Sequence, residues 1–242
     1  MKSTRDEPPK VSSGDRKVTY SKATTATKRI GRKKNTDKDF DEEGTRILSG
    51  LAAKGKGSRY ANLTVIWTHP KTEAHIYVGN ITAASTRKIL DRHEIRNIVN
   101  CQGRESTNYF EENKEFNYFR FPVSYWWKAK GMDTHKGVEK YFNPVFNFIS
   151  SALEKGENCL VHCLAGAHRA GTTGVACLMY FGNMSFKEAL ADAKLSRPII
   201  NPIGQFPELL QKLDSARQKK EGNQSDASSK KCEKLQKTTE QP

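Results

Sequence analysis

The chain has 242 residues, with 41 Lys or Arg against 27 Asp or Glu, for a formal net charge of +14. With 36% hydrophobic residues it holds enough apolar surface for one core of adequate size, with chain to spare for tails. No secretory h-region follows Met1 and no run of 18 or more apolar residues occurs, so a cytoplasmic or nuclear chain, neither secreted nor membrane-spanning, is expected. Five cysteines without regular spacing fit a reducing compartment, and six scattered histidines offer no metal-ligand pair.

Residues 1–57 carry 15 basic and 8 acidic side chains and few aromatics, a composition that cannot bury enough apolar surface to fold alone. A disordered basic N-terminal tail is expected there, and a second over 217–242, with 7 basic and 4 acidic residues. Together the tails hold +10 of the +14, leaving +4 for the middle. The run Lys28-Arg29-Ile30-Gly31-Arg32-Lys33-Lys34 is compatible with a nuclear import signal or with an anionic partner, a nucleic acid or a membrane surface. A solvated tail with no address accounts for it equally well. The acidic stretch from Asp37 to Glu43 weakens any simple polybasic reading.

Strand-like stretches follow at His75–Val78, Arg96–Cys101 and Asn117–Val123. In Tyr125-Trp126-Trp127-Lys128-Ala129-Lys130, two adjacent tryptophans cannot both point inward from a strand, so at least one is expected outside. There it either stacks on a substrate ring or packs down on the domain surface. Val138, Tyr141, Phe142, Val145, Ile149, Ala152 and Leu153 share one face of a helix. Pro144 inside that pattern predicts either a kink or a regular helix starting near Asn143. Cys159–His162 is a continuously apolar strand, expected at the centre of the sheet with both faces covered. Ser185-x-x-Glu188 is a capping box opening a helix over Phe186–Leu195, ended by Arg197-Pro198, and Phe206–Leu213 gives a last short helix.

Chemistry concentrates between strand and helix, in His162-Cys163-Leu164-Ala165-Gly166-Ala167-His168-Arg169. A strand–loop–helix of this kind aims its backbone N–H groups and the positive helix end at one spot. Phosphate fits that spot, Arg169 can fork two of its oxygens, and the same field favours a thiolate on Cys163. The bare Cys-to-Arg spacing is weak alone; His162, Gly166 and the apolar strand strengthen it. Phosphoryl transfer to a thiolate also needs an acid for the leaving oxygen. Asp133, in Gly131-Met132-Asp133-Thr134-His135-Lys136 and 30 residues before Cys163, is the candidate; capping the following helix is its competing role. Glu139 and Glu157 look like exposed charges and suit the task less well.

His162-Cys163-x5-Arg169 resembles the signature of cysteine-dependent phosphatases, and its surroundings resemble the dual-specificity branch. Ala74 to Asn80 with Ala83-Ala84-Ser85, Ile95 to Cys101, and Ser196-Arg197-Pro198 with Asn201-Pro202 are similar to that family's segments in the expected order, over about residues 68–216. The resemblance implies an α/β catalytic domain, a central mixed sheet flanked by helices on both faces, between the two tails. It implies Cys163 as nucleophile, Arg169 and the N–H groups of Leu164, Ala165, Gly166, Ala167 and His168 as the phosphate cradle, and Asp133 as acid. The substrate implied is a phosphoprotein, with no cofactor. Phosphatases of phosphoinositides, phosphoglucans or RNA 5′-ends share the fold, and a catalytically weak phospho-binding adaptor remains open beside them.

Three residues depart from the pattern or extend it. Position 170 is Ala where the family usually has Ser or Thr, which removes a donor to the departing sulfur. His168 stands where a small residue is common; it either adds charge near phosphate or points away. Cys101 ends a strand that, in the resembling fold, lies beside the nucleophile strand, so it is either a disulfide partner for Cys163 or a small core hydrophobe.

Overall fold

The computed structural model describes residues 34–53 and 60–219. A five-stranded sheet runs in the order β1-β2-β5-β3-β4, with β1 Leu63–Thr68, β2 His75–Gly79, β3 Ile95–Asn100, β4 Asn117–Arg120 and β5 Asn158–His162. Only β1 pairs antiparallel; the other neighbours are parallel, so the sheet is mixed. The apolar strand β5 takes the central place, as its composition requires.

Alternation assigns the two faces. Ile76, Val78, Val99, Cys159 and Val161 face a large core closed by α4 His135–Leu153, α5 Arg169–Phe181, α6 Phe186–Ser196 and α7 (206–219). Tyr77, Ile98 and Leu160 face a smaller core under α2 Ile81–Ser85 and α3 Arg87–Arg92.

The helices start where the sequence places caps. Ser185 and Glu188 form the reciprocal capping box of α6. Thr134, rather than Asp133, caps α4 by accepting the Gly137 N–H. That helix runs unbroken through Pro144, so it does not begin near Asn143. Pro144 lies on the exposed side, where water can satisfy the carbonyl its missing N–H leaves unpaired. Strand β4 stops at Arg120, three residues before the expected end, because Pro122 has no amide to donate. Val123–Lys128 then winds into a 3-10 helix that buries Trp126 and leaves Trp127 36% exposed, so one tryptophan faces outward as expected.

The expected N-terminal tail needs correction. Residues Asp37–Ala53 form a 17-residue helix, α1, instead of part of a disordered segment. Phe40, Gly44, Ile47, Leu48 and Leu51 recur at helical spacing and give the acidic segment an inward face. Phe40 is buried and stacks on Phe206 of α7 at 4.5 Å. Residues 1–33, 54–59 and 220–242, with most of the basic run and the rest of the expected tails, lie outside the described residues. Strand β1 also begins five residues ahead of the expected domain start; its Leu-Thr-Val-Ile-Trp-Thr run is β-branched and aromatic enough to have signalled it.

Candidate active site

Strand β5 ends at His162 and α5 begins at Arg169, so Cys163 to His168 form the turn between them at the centre of the sheet. Each carbonyl from Leu164 to His168 is bonded away from the loop's centre. Leu164 O accepts Ile81 N at 3.0 Å, and Ala165 O accepts Tyr60 Oη at 3.0 Å and Arg197 Nη2 at 3.3 Å. Gly166 O accepts Arg197 Nε at 3.1 Å, Ala167 O accepts Asn201 N at 3.0 Å, and His168 O accepts the Thr172 amide and hydroxyl. In a trans peptide the N–H points opposite to the preceding C=O. Tying down these five carbonyls therefore turns the N–H groups of residues 165–169 inward.

Gly166 makes the turn possible. Its φ is +67°, and a Cβ there would stand 2.6 Å from Gly79 O and 2.9 Å from Arg197 Nη2. Arg197, only 2% exposed, also donates to Ala61 O at 2.8 Å and Thr64 Oγ1 at 3.2 Å, and lies over the Tyr60 ring. Burial lowers the Arg197 pKa, with Tyr60 acting in the opposite direction. Asn80 completes this back layer by donating to Tyr60 Oη and capping α2.

The Arg169 side chain is 1% exposed and meets two carboxylates of α1. Nη1 donates to Asp37 Oδ1 at 2.9 Å, and Nη2 to Asp41 Oδ1. Burial alone would depress Arg169, but Cys163, Asp41 and Asp37 outweigh it and hold the guanidinium charged. Asp37 also accepts Ser124 Oγ at 2.6 Å. Arg169 Nε and Asp37 Oδ2 are buried without partners among the described residues.

His168 points away from the loop's centre: its Nδ1 lies 2.6 Å from Asn201 O, and its ring centroid 6.4 Å from that of Phe40. Burial lowers its pKa, with Arg169 adding to the effect. The Thr172 and Thr173 hydroxyls both bond carbonyls one turn back, of His168 and Arg169, and Ala170 is fully buried with no donor. Cys101 does lie beside the nucleophile strand, its amide donating to His162 O at 2.9 Å. Its thiol bonds Thr173 Oγ1 at 3.3 Å, and burial pushes it strongly upward, as expected of a core group. The four described cysteines are free and buried.

Asp133 is exposed, on the turn that leads into α4. Thr134 fixes that turn by bonding Gly131 O through both amide and hydroxyl, and with Thr134 as cap the Asp133 carboxylate is not consumed by the helix. The loop residues are thus brought together as the sequence indicates, with Asp133 on a separate turn. Asp37, Asp41 and the anchoring role of Arg197 were not foreseen. The i, i+4 spacing of the two aspartates beside the apolar stripe of α1 is the signal that marks them as one helix face.

A family model described as dual specificity phosphatase, catalytic domain, matches residues 76–215. Dual specificity protein phosphatase 15 of Rattus norvegicus is 33% identical over 146 residues, 60% of this chain and 57% of that protein. Dual specificity protein phosphatase 22-B of Danio rerio is 30% identical over 140 residues, covering 58% and 70%. The chain thus spans little more than half the length of the first of these curated relatives. A crystal structure of a human DUSP28 variant superposes with a TM-score of 0.52 at 23% identity, covering 66% of this chain and 99% of that one, and shares the fold. With the family model spanning more than half of its residues, around the same strand, loop and helix, this chain belongs to the dual specificity phosphatase catalytic-domain family.

Proposed function

We propose that this chain is a protein phosphatase acting on phosphotyrosine and phosphoserine or phosphothreonine through a cysteinyl-phosphate. The observation that carries the reading is the loop whose carbonyls from Leu164 to His168 are tied outward, which aims the N–H groups of residues 165–169 inward between Cys163 and Arg169. The Cys163 thiolate attacks phosphorus, an S–P bond forms, and the P–O bond to the substrate oxygen breaks. Arg169 and the inward N–H groups bind the three equatorial oxygens where charge develops. Asp133 gives its proton to the departing oxygen. Its carboxylate then takes a proton from water as that water attacks phosphorus, the S–P bond breaks, and phosphate and the thiolate are released.

Two substitutions separate these roles. Cys163→Ser should abolish hydrolysis of a small aryl phosphate while the cradle still binds inorganic phosphate; activity within tenfold of the parent would remove Cys163 from the mechanism. Asp133→Asn should slow turnover of phosphoserine peptides far more than that of aryl phosphates, because only a poor leaving group needs the proton. An equal loss across leaving groups would make Asp133 structural. A panel of phosphopeptides, phosphoinositides and RNA 5′-ends then tests the substrate class, and tight binding of phosphopeptides without turnover would favour an adaptor.

A further inference from the structure

We propose that α1 is an internal competitor for phosphate: Asp37 and Asp41 occupy the Arg169 guanidinium, and the site opens only when this helix shifts. The inference rests on the phosphatase reading for the role of Arg169, and on four independent observations for the closure.

The first is charge. Arg169 offers one positive charge and already meets two carboxylates. A phosphate dianion brought to the same guanidinium would add like-charge repulsion that a single cation cannot offset. The second is access. Cys163 is 2% exposed and Arg169 1%, and of the turn between them only Leu164 is more than marginally open. The third is steric. Gly44 of α1 crosses directly over the loop: a Cβ at Gly44 would stand 3.2 Å from Leu164 Cδ2 and 3.6 Å from Ala165 Cβ. A methyl there would fit only if Leu164 gave way slightly, so anything larger would push the helix off the loop.

The fourth shows that the closed arrangement is incomplete. Arg169 Nε and Asp37 Oδ2 are both buried without partners among the described residues. A phosphate that displaced α1 could use the unmet Nε–H together with the inward loop amides, a better fork than two separate carboxylates provide. The two aspartates also differ. Asp37 is held by a short bond from Ser124 Oγ at 2.6 Å, whereas the Asp41 side chain is 42% exposed and has, besides Arg169, only a long bond from Gln102 Nε2 at 3.5 Å among the described residues.

The test uses the full chain. Asp41→Asn weakens the hold without adding bulk, and Gly44→Leu lifts the helix without touching charge. Each should raise kcat/KM for a small aryl phosphate about tenfold and lower the inhibition constant of inorganic phosphate by a similar factor, as expected when a closed form predominates by that ratio. Glu42→Gln, an exposed change on the same helix away from Arg169, should shift neither by more than about twofold. If Gly44→Leu fails to fold, Asp41→Asn alone decides.

A loss of activity with weaker phosphate inhibition in Asp41→Asn would show that the carboxylates hold Arg169 in its working posture and would overturn the proposal, as would no change in either variant. Phosphate binding that tightens, read by thermal shift, with no turnover in any form would sustain the closure and defeat the phosphatase reading instead.

Discussion

The two sides of the catalytic turn are held by different means. Behind it, Tyr60, Ile81, Arg197 and Asn201 bond to backbone carbonyls and tie the turn to three separate stretches of chain. In front, α1 holds the turn through side-chain carboxylates on Arg169 and the packing of Phe40 and Gly44. Carbonyl ties fix the direction of the N–H groups and cannot be released without dismantling the cradle. The half-exposed Asp41 carboxylate can turn to water, and the buried Arg169 it leaves is compensated when another anion takes its place. The back layer is therefore framework, whereas the front layer has the character of a removable cover.

The harshest way to break that contrast is Gly166→Ala. With φ at +67° and Gly79 O at 2.6 Å from the new methyl, the loop must shift against its anchors. We expect a fall in kcat/KM of about a hundredfold or more for a cradle misplaced by roughly an ångström. Steady-state assay beside a thermal melt will check it; retained activity would mean that the back layer yields more than its contacts suggest.

Ala170→Ser sharpens the comparison from inside the turn. With the Thr172 and Thr173 hydroxyls committed to helix carbonyls, neither is left to donate to the departing sulfur. Supplying a donor should speed that step by about 30- to 150-fold, the worth of a charge-assisted bond of about 2–3 kcal/mol in a dry site. Rapid mixing should show a product burst in the parent that the variant loses. If neither the burst nor the gain appears, hydrolysis of the intermediate is not limiting.

The smallest effect belongs to His162, directly behind the nucleophile. It is fully buried, and burial, aided by the Arg120 and Arg169 charges, lowers its pKa to about 3. The unfolded chain takes up this proton first as pH falls. The stabilising contribution of neutral His162 is therefore complete above the ordinary histidine value of about 6.5, and it declines between there and about 3 by roughly 1.4 kcal/mol per pH unit. His162→Leu should flatten the fall in urea midpoint between pH 7 and 5. An unchanged slope would place the acid sensitivity elsewhere in the chain.

The back layer was partly legible in the sequence and the front layer was not, for a physical reason. The strand, turn and helix around Cys163 are contiguous, and continuous apolarity fixes β5 at the centre of the sheet. The glycine at 166 and the cap at Ser185 are local signals of the same kind. In α1 the charged composition of residues 37–43 masks a stripe of Phe40, Ile47, Leu48 and Leu51 whose value depends on a surface formed far away. Arg169 meets Asp37 across 132 residues, and no periodicity encodes such a pairing. Arg197 was visible as a helix end, but its grip on the loop carbonyls depends on where β1, β5 and α6 converge.

Burial of Cys163 has a consequence in time. A thiol that is 2% exposed reacts with an alkylating probe only during excursions that uncover it. When closing outpaces labelling, the rate reports the population of the open form; when labelling wins, it reports how often opening occurs. Raising the probe concentration carries the measurement from one regime to the other. Because the other three described cysteines are also buried, peptide-level mapping can separate local uncovering of Cys163 from wider opening that exposes Cys101, Cys159 and Cys177 as well. The nucleophile thereby becomes a stopwatch for the helix above it.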